Sequence, residues 1–224
     1  MNVLITGTSQ GIGRATALLF AEQGHNVYGF DVQQSTIQNT CYTHYVVDIT
    51  SEASYPELPP INILVNNAGI QCSEVYGSVI DVNLKGTISI TEKYGIHPGI
   101  KSIVMVGSAS AHTGSEFPEY CASKSGLLAY VKNVAQRVAP WKATCNSVDA
   151  GGVITELNRP VLDDKDLWKS IMDVTPLKRW ATAEEIAAWI YFLAVTQSFC
   201  TGQNIVIDGG ESIDSHFIWP SSEK

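Results

Sequence analysis

The chain has 224 residues, 45% of them hydrophobic, and a formal net charge of -8, enough apolar material for the core of one α/β domain. Its 14 lysines and arginines are scattered and form no basic stripe, which argues against nucleic acid or an anionic membrane as a partner. The longest apolar stretch, 186–195, is short of the roughly 18 residues that suggest a membrane span, and the five cysteines are too dispersed for a disulfide framework or a metal site.

Met1 leads within one residue into the strand-like Val3-Leu4-Ile5, so no leader is expected and the cytosol is the expected compartment. From there, short β-branched runs at 2–6, 26–31, 44–48, 61–66, 102–107, 143–148 and 204–208 predict seven strands, each ending near Gly, Asn, Asp or Ser. Helical spacing fills 12–23 and, most clearly, 119–139, where Leu127, Leu128, Val131, Val134, Ala135 and Val138 share a stripe that Pro140 ends. The stretch 186–195 reads as a buried helix. This alternation is the rhythm of βαβ units and predicts a doubly wound, Rossmann-type parallel sheet flanked by helices. One domain is expected over 1–210. The connection between Asp48 and Ile61 contains Pro56, Pro59 and Pro60, which leaves room for little more than a helical turn, so that edge of the sheet should be thinly covered. The tail 211–224 has no periodic pattern and is expected either to be mobile or to fold over the site.

The first strand runs into Thr6-Gly7-Thr8-Ser9-Gln10-Gly11-Ile12-Gly13 and then directly into a helix. In that context, closely spaced glycines let backbone N–H groups approach a pyrophosphate, although a structural tight turn has the same pattern. A P-loop is excluded, because Arg14-Ala15 follows Gly13 in place of Lys-Ser/Thr. Asp31 ends the second strand, where a carboxylate accepts hydrogen bonds from the adenosine ribose hydroxyls and repels a 2′-phosphate. Uncharged Gln10 and Val32 offer that phosphate no cation, so NAD is expected over NADP. Asp48, followed by Ile49, reads equally well as a contact to the adenine edge and as a turn or helix cap.

Tyr120 and Lys124 stand at the start of the strongest predicted helix, and four-residue spacing puts phenol and ammonium on one face. A free phenol ionises near pH 10, too high for a base at neutral pH, and a nearby cation stabilises the phenolate. Such a pair also arises by chance. Ser108 supports the functional reading, since it lies just past a strand, at the carboxyl end of a parallel sheet.

Together, Thr6-Gly7-x-x-x-Gly11-Ile12-Gly13, Asn66-Asn67-Ala68-Gly69, Asp81-Val82-Asn83, Ser108, Tyr120-x-x-x-Lys124, Pro176-Leu177 and Asp208-Gly209-Gly210 resemble the short-chain dehydrogenase/reductase family over nearly the whole chain. The resemblance implies that Tyr120 exchanges the substrate proton, Ser108 positions the substrate oxygen, Lys124 binds the nicotinamide ribose and lowers the Tyr120 pKa, and Asn83 holds a relay water. It further implies cofactor contacts from Gly7, Ser9, Gln10, Gly11, Ile12, Gly13, Asp31, Asp48 and Ile49. Asn67, Ala68 and Gly69 are expected under the adenosine ribose, Val153 and Thr155 at the carboxamide, and the chain is expected to form a homodimer or homotetramer.

The sequence departs from the family pattern in two ways. Asp149-Ala150-Gly151-Gly152 stands where Pro-Gly is usual, and the segments 48–61 and 69–83 are short. Asn158, Arg159, Trp168 and His112 are candidate pocket residues, although a lone His or Arg in such a region is more often solvent-facing or structural. The expected function is hydride transfer between NAD(H) and a small polar secondary alcohol or ketone. The rivals are an NADPH-dependent reductase of 3-oxoacyl thioesters and a non-catalytic NAD(H)-sensing protein.

Overall fold

A computed structural model describes residues 1–71, 75–115 and 117–213. Cys72 and residues 214–224, most of the expected tail, lie outside the described residues. In chain order the strands are β1 (Asn2–Thr6), β2 (Asn26–Asp31), β3 (Tyr42–Val46), β4 (Ile63–Asn66), β5 (Ser102–Val106), β6 (Thr144–Ala150), β7 (Val153–Ile154), β8 (Ala181–Thr182) and β9 (Asn204–Ile207). The helices are α1 (Gly11–Glu22), α2 (Ser78–Ile80), α3 (Thr87–Tyr94), α4 (Ser110–Thr113), α5 (Pro118–Val138), α6 (Arg159–Leu162), α7 (Lys165–Val174) and α8 (Ala183–Tyr191). A π turn, Asp81–Gly86, joins α2 to α3, and a second, Phe192–Thr196, extends α8.

The seven-stranded sheet has the order β3-β2-β1-β4-β5-β6-β9, and all its pairs are parallel. Alternate residues of each strand feed opposite layers, as the two-residue period of a strand requires. Leu4, Leu64, Ile103 and Met105 pack with Leu127, Val131 and Val134 of α5. Val3, Ile5, Ile63, Val65 and Val104 face the other way, onto Phe20 of α1 and Ile186 and Ile190 of α8. Covered on both faces, the central strands read as unbroken apolar runs. The strand order reverses between β1 and β4, so the chain leaves their carboxyl ends in opposite directions and opens a crevice there.

Strand ends shift by one or two residues from the sequence reading, and three differences bear on the site. β3 lies two residues earlier than 44–48, because the β2 register pairs Val27 with Tyr42 and Asp31 with Val46. That leaves Asp48 in the following turn. β6 runs on to Ala150, since Asp149 and Ala150 pair with Val206 and Ile207 of β9. The two-residue pair β7-β8 was not anticipated. Only a 3-10 turn, Glu52–Ser54, occupies the short crossover, and Val46 on edge strand β3 is 53% exposed, in line with a thinly covered edge. No helix among the described residues is long and apolar enough to cross a membrane.

Candidate active site

A cleft of about 1050 Å³ lies at the carboxyl ends of the strands. Its nucleotide end is built on close backbone approach. A Cβ at Gly7 would press on the Asn67 side chain and the Ala68 backbone, and one at Gly13 would collide with the Gly7 carbonyl. Thr6 ties the two loops together: its hydroxyl accepts from the N–H groups of Asn67 and Ala68, each at 3.0 Å, while the Asn67 amide donates to the carbonyls of Thr6 and Gly7. The sequence reading passed over Thr6, although it opens the glycine motif.

Asp31 lines the cleft. Its Oδ2 accepts from the Ser9 N–H and its Oδ1 from the Gln33 N–H, both at 2.9 Å, which fixes the carboxylate beside the glycine loop. Asp48 lines the cleft while accepting from the N–H and hydroxyl of Thr50, so its turn role and its place in the cleft coexist. A polar chain that sequence spacing did not suggest braces this end. Thr8 Oγ1 meets the Tyr42 hydroxyl at 2.8 Å, that hydroxyl meets His44 Nδ1 at 2.9 Å, and His44 Nε2 donates to the Gln33 carbonyl at 2.9 Å.

Gly7, Gln10, Gly11, Ile12, Ile49, Asn67, Ala68, Gly69, Val153 and Thr155 also line the cleft. Ser9 and Gly13 do not. Ser9 acts through its bond to Asp31, and Gly13 through its contact with Gly7. The glycine cradle and the Asp31 carboxylate fixed beside it suit a dinucleotide, because a side chain at either Gly7 or Gly13 would fill or displace the loop.

At the other end, Ser108, Tyr120 and Lys124 line the same cleft. Ser108, just beyond β5, is 6% exposed, and its Oγ accepts from the Ser110 N–H at 3.2 Å. Pro118 opens α5, where its fixed φ suits the first turn, and Tyr120 and Lys124 follow one turn apart. Lys124 Nζ lies 5.8 Å from the Tyr120 ring centroid and donates to the Val106 carbonyl at 2.8 Å. Burial pulls the Lys124 ammonium down to about 8, and the negative field of Asp149 opposes that shift.

Asn83 sits in the π turn, a feature often found at functional sites, but it is fully buried and does not line the cleft. Both of its amide hydrogens are engaged, by the Ile70 carbonyl and by Ser123 Oγ, and its Oδ1 accepts from the Ile70 N–H. One Oδ1 lone pair is left. Of the four pocket candidates, only Asn158 lines the cleft, its amide donating to the Val153 carbonyl. Arg159 is exposed on α6, and Trp168 packs edge-on against Trp180. His112 turns to Asp149, with Nε2 and Oδ2 2.6 Å apart. In the loop after β6, where Pro-Gly was expected, the Gly151 N–H donates to the Ile207 carbonyl and the Gly152 carbonyl accepts from the Ala181 N–H.

A family model described as enoyl-(acyl carrier protein) reductase matches residues 7–212. The chain is 32% identical to the 3-oxoacyl-[acyl-carrier-protein] reductase of Thermotoga maritima, over 92% of this chain and 96% of that one. It is 31% identical to L-xylulose reductase of Caenorhabditis elegans, over 94% and 95% of the two chains. Among solved structures, a 4-hydroxyisoleucine dehydrogenase mutant complexed with NADH and succinate superposes with a TM-score of 0.84 at 25% identity, covering 95% of this chain and 99% of that one.

Proposed function

Because the chain belongs to the short-chain dehydrogenase/reductase family of oxidoreductases, we propose that it transfers a hydride between NAD(H) and a small polar secondary alcohol or ketone. The observation that carries this reading is the single cleft that has Asp31 at one end and Ser108, Tyr120 and Lys124 at the other. When bound, the nicotinamide group supplies the hydride acceptor or donor. Ser108 holds the substrate oxygen, and Tyr120 takes up or returns its proton as general base or acid. Lys124 holds the ribose and lends positive charge to the phenolate. Asn83 fixes residue 70 of the loop beside Lys124 and holds the relay water. The cleft walls set Ser110, Ser115, Glu156 and Asn158 beside Phe117, Leu157, Val161, Ile171 and Trp180, and the polar group supports a hydroxylated substrate held against an apolar wall. The protein works as a homodimer or homotetramer, a count that light scattering will give.

The second reading, reduction of 3-oxoacyl thioesters with NADPH, draws on the likeness to the Thermotoga enzyme. Initial rates with both cofactors, on polyols, sugars and a 3-oxoacyl thioester, separate the two. We expect kcat/KM for NAD(H) to exceed that for NADP(H) by at least about tenfold, a difference of about 1.4 kcal/mol. Asp31→Asn, which keeps an acceptor for Gln33 but removes the charge, should narrow that ratio. An NADPH preference in the unaltered protein rules out the assigned role of Asp31.

A further inference from the structure

Asp149 departs from the usual family sequence, and its surroundings are unusual for a carboxylate. It is fully buried near the end of β6. Oδ1 has no hydrogen-bond partner among the described residues and packs against Gly107, where any Cβ would collide with it. Oδ2 meets His112 Nε2 at 2.6 Å, and the His112 side chain retains 30% of its exposure. His112 belongs to α4, the short helix that follows Ser108. A buried carboxyl is driven toward its neutral form unless hydrogen bonds or charges hold the anion. Burial pushes Asp149 upward, and the His112 hydrogen bond and the charges of His112 and Lys124 oppose it.

Lys124 has the complementary problem. Its ammonium is 4% exposed and donates to a neutral carbonyl, and a buried cation without an anion nearby is costly. Its surroundings hold few charges. Tyr120 faces it from α5, while Gly69 and Asn83 border it as uncharged neighbours. Lys124 Nζ holds the Val106 carbonyl while Asp149 Oδ1 packs against Gly107, the next residue, so the two groups meet the same end of β5, and the Asp149 charge opposes the effect of burial on the ammonium. Asp149 in turn is faced by His112 from α4 and Lys124 from α5; among the described residues no charge from β5, β9 or α8 contributes to its shift.

We propose that Asp149 and His112 are a positioning pair behind the active site, in which the His112 N–H keeps the buried carboxylate ionised and the carboxylate keeps the Lys124 ammonium charged. The pair rests on the role assigned to Lys124 above. It also ties α4, and with it the turn that carries Ser108, to β6.

The test is an NMR pH titration of protein labelled with 13C at lysine Cε, with the Lys124 signal assigned by its loss in Lys124→Arg. His112→Gln preserves an N–H donor for Asp149 and should leave the Lys124 midpoint where it is in the unaltered protein. Asp149→Asn removes the anion, and His112→Leu lets the carboxyl take up a proton, so both should lower the midpoint by about one pH unit. An unmoved midpoint in Asp149→Asn overturns the proposal. Should that variant fail to fold, the two His112 variants decide, and equal midpoints in them overturn it. The titration needs no turnover, so an inactive protein would count against the proposed reaction and leave the pair to be judged on its own signal.

Discussion

Tyr120→Phe is expected to lower kcat by about a thousandfold, within the range for loss of a positioned general acid or base, while NADH binds within about threefold of its unaltered affinity. The substitution removes one hydroxyl and keeps the ring. The Lys124 ammonium donates to the Val106 carbonyl and lies over the Tyr120 ring, 5.8 Å from its centroid, and phenylalanine keeps that ring, so the cofactor end of the cleft and the lysine keep their geometry. What is lost is the group that moves the proton. Without it the ketone oxygen must draw its proton from solvent in the reductive direction, and in the oxidative direction no base meets the alcohol. Stopped-flow rates with NADH, measured beside fluorescence titration of NADH binding, distinguish this from a folding defect. Activity within tenfold of the unaltered enzyme would refute the role of Tyr120. Ser108→Ala should fall between the two, because a hydrogen bond that orients the oxygen is lost while the proton donor remains.

The order of strands and helices was legible because burial on both faces writes itself into sequence as apolar runs such as Val3-Leu4-Ile5 and Ile103-Val104-Met105. Edges were less legible. On β3 no residue is fully buried, and Tyr42 and Tyr45 pack only partly against the two core clusters, so the pattern there is polar and mixed, and the register with β2 decides where the strand begins. The β7-β8 pair is two residues long on each side and is made by chain segments distant in sequence, so no local periodicity marks it.

The candidate site divides in the same manner. Glycines and the Tyr120–Lys124 spacing are local patterns, and the fold brings them into one cleft. The bond between His112 and Asp149 joins residues 37 positions apart, and in sequence Asp149 registers only as part of Asp149-Ala150-Gly151-Gly152, the stretch that stands where Pro-Gly is usual. Asn83 is legible as a motif, yet its bonds to Ile70 and Ser123 depend on how the π turn seats it under the loop after β4.

Gly13→Ala is expected to weaken NADH binding by about a hundredfold, close to 2.8 kcal/mol, and to lower folding stability by about 1–3 kcal/mol, the usual cost of overpacking. The reason is contact, not backbone freedom. Gly13 has no left-handed φ, but its α1 position lies so close to β1 that an added methyl would collide with the Gly7 carbonyl and the Asn67 amide. Both neighbours belong to the framework that shapes the nucleotide loop, since the Asn67 amide already holds the Thr6 and Gly7 carbonyls. Relief requires α1 to move outward, and that carries the N–H groups of residues 11–13 away from where a pyrophosphate would sit. Gly24 offers the control. It has φ +77° with open space around it, so Gly24→Ala should cost about 1–2 kcal/mol of backbone strain and leave NADH affinity unchanged. Thermal unfolding and NADH titration of the two variants therefore separate the two uses of glycine. Comparable loss of stability in both, with normal NADH affinity in Gly13→Ala, would show that close approach of α1 to β1 serves packing alone.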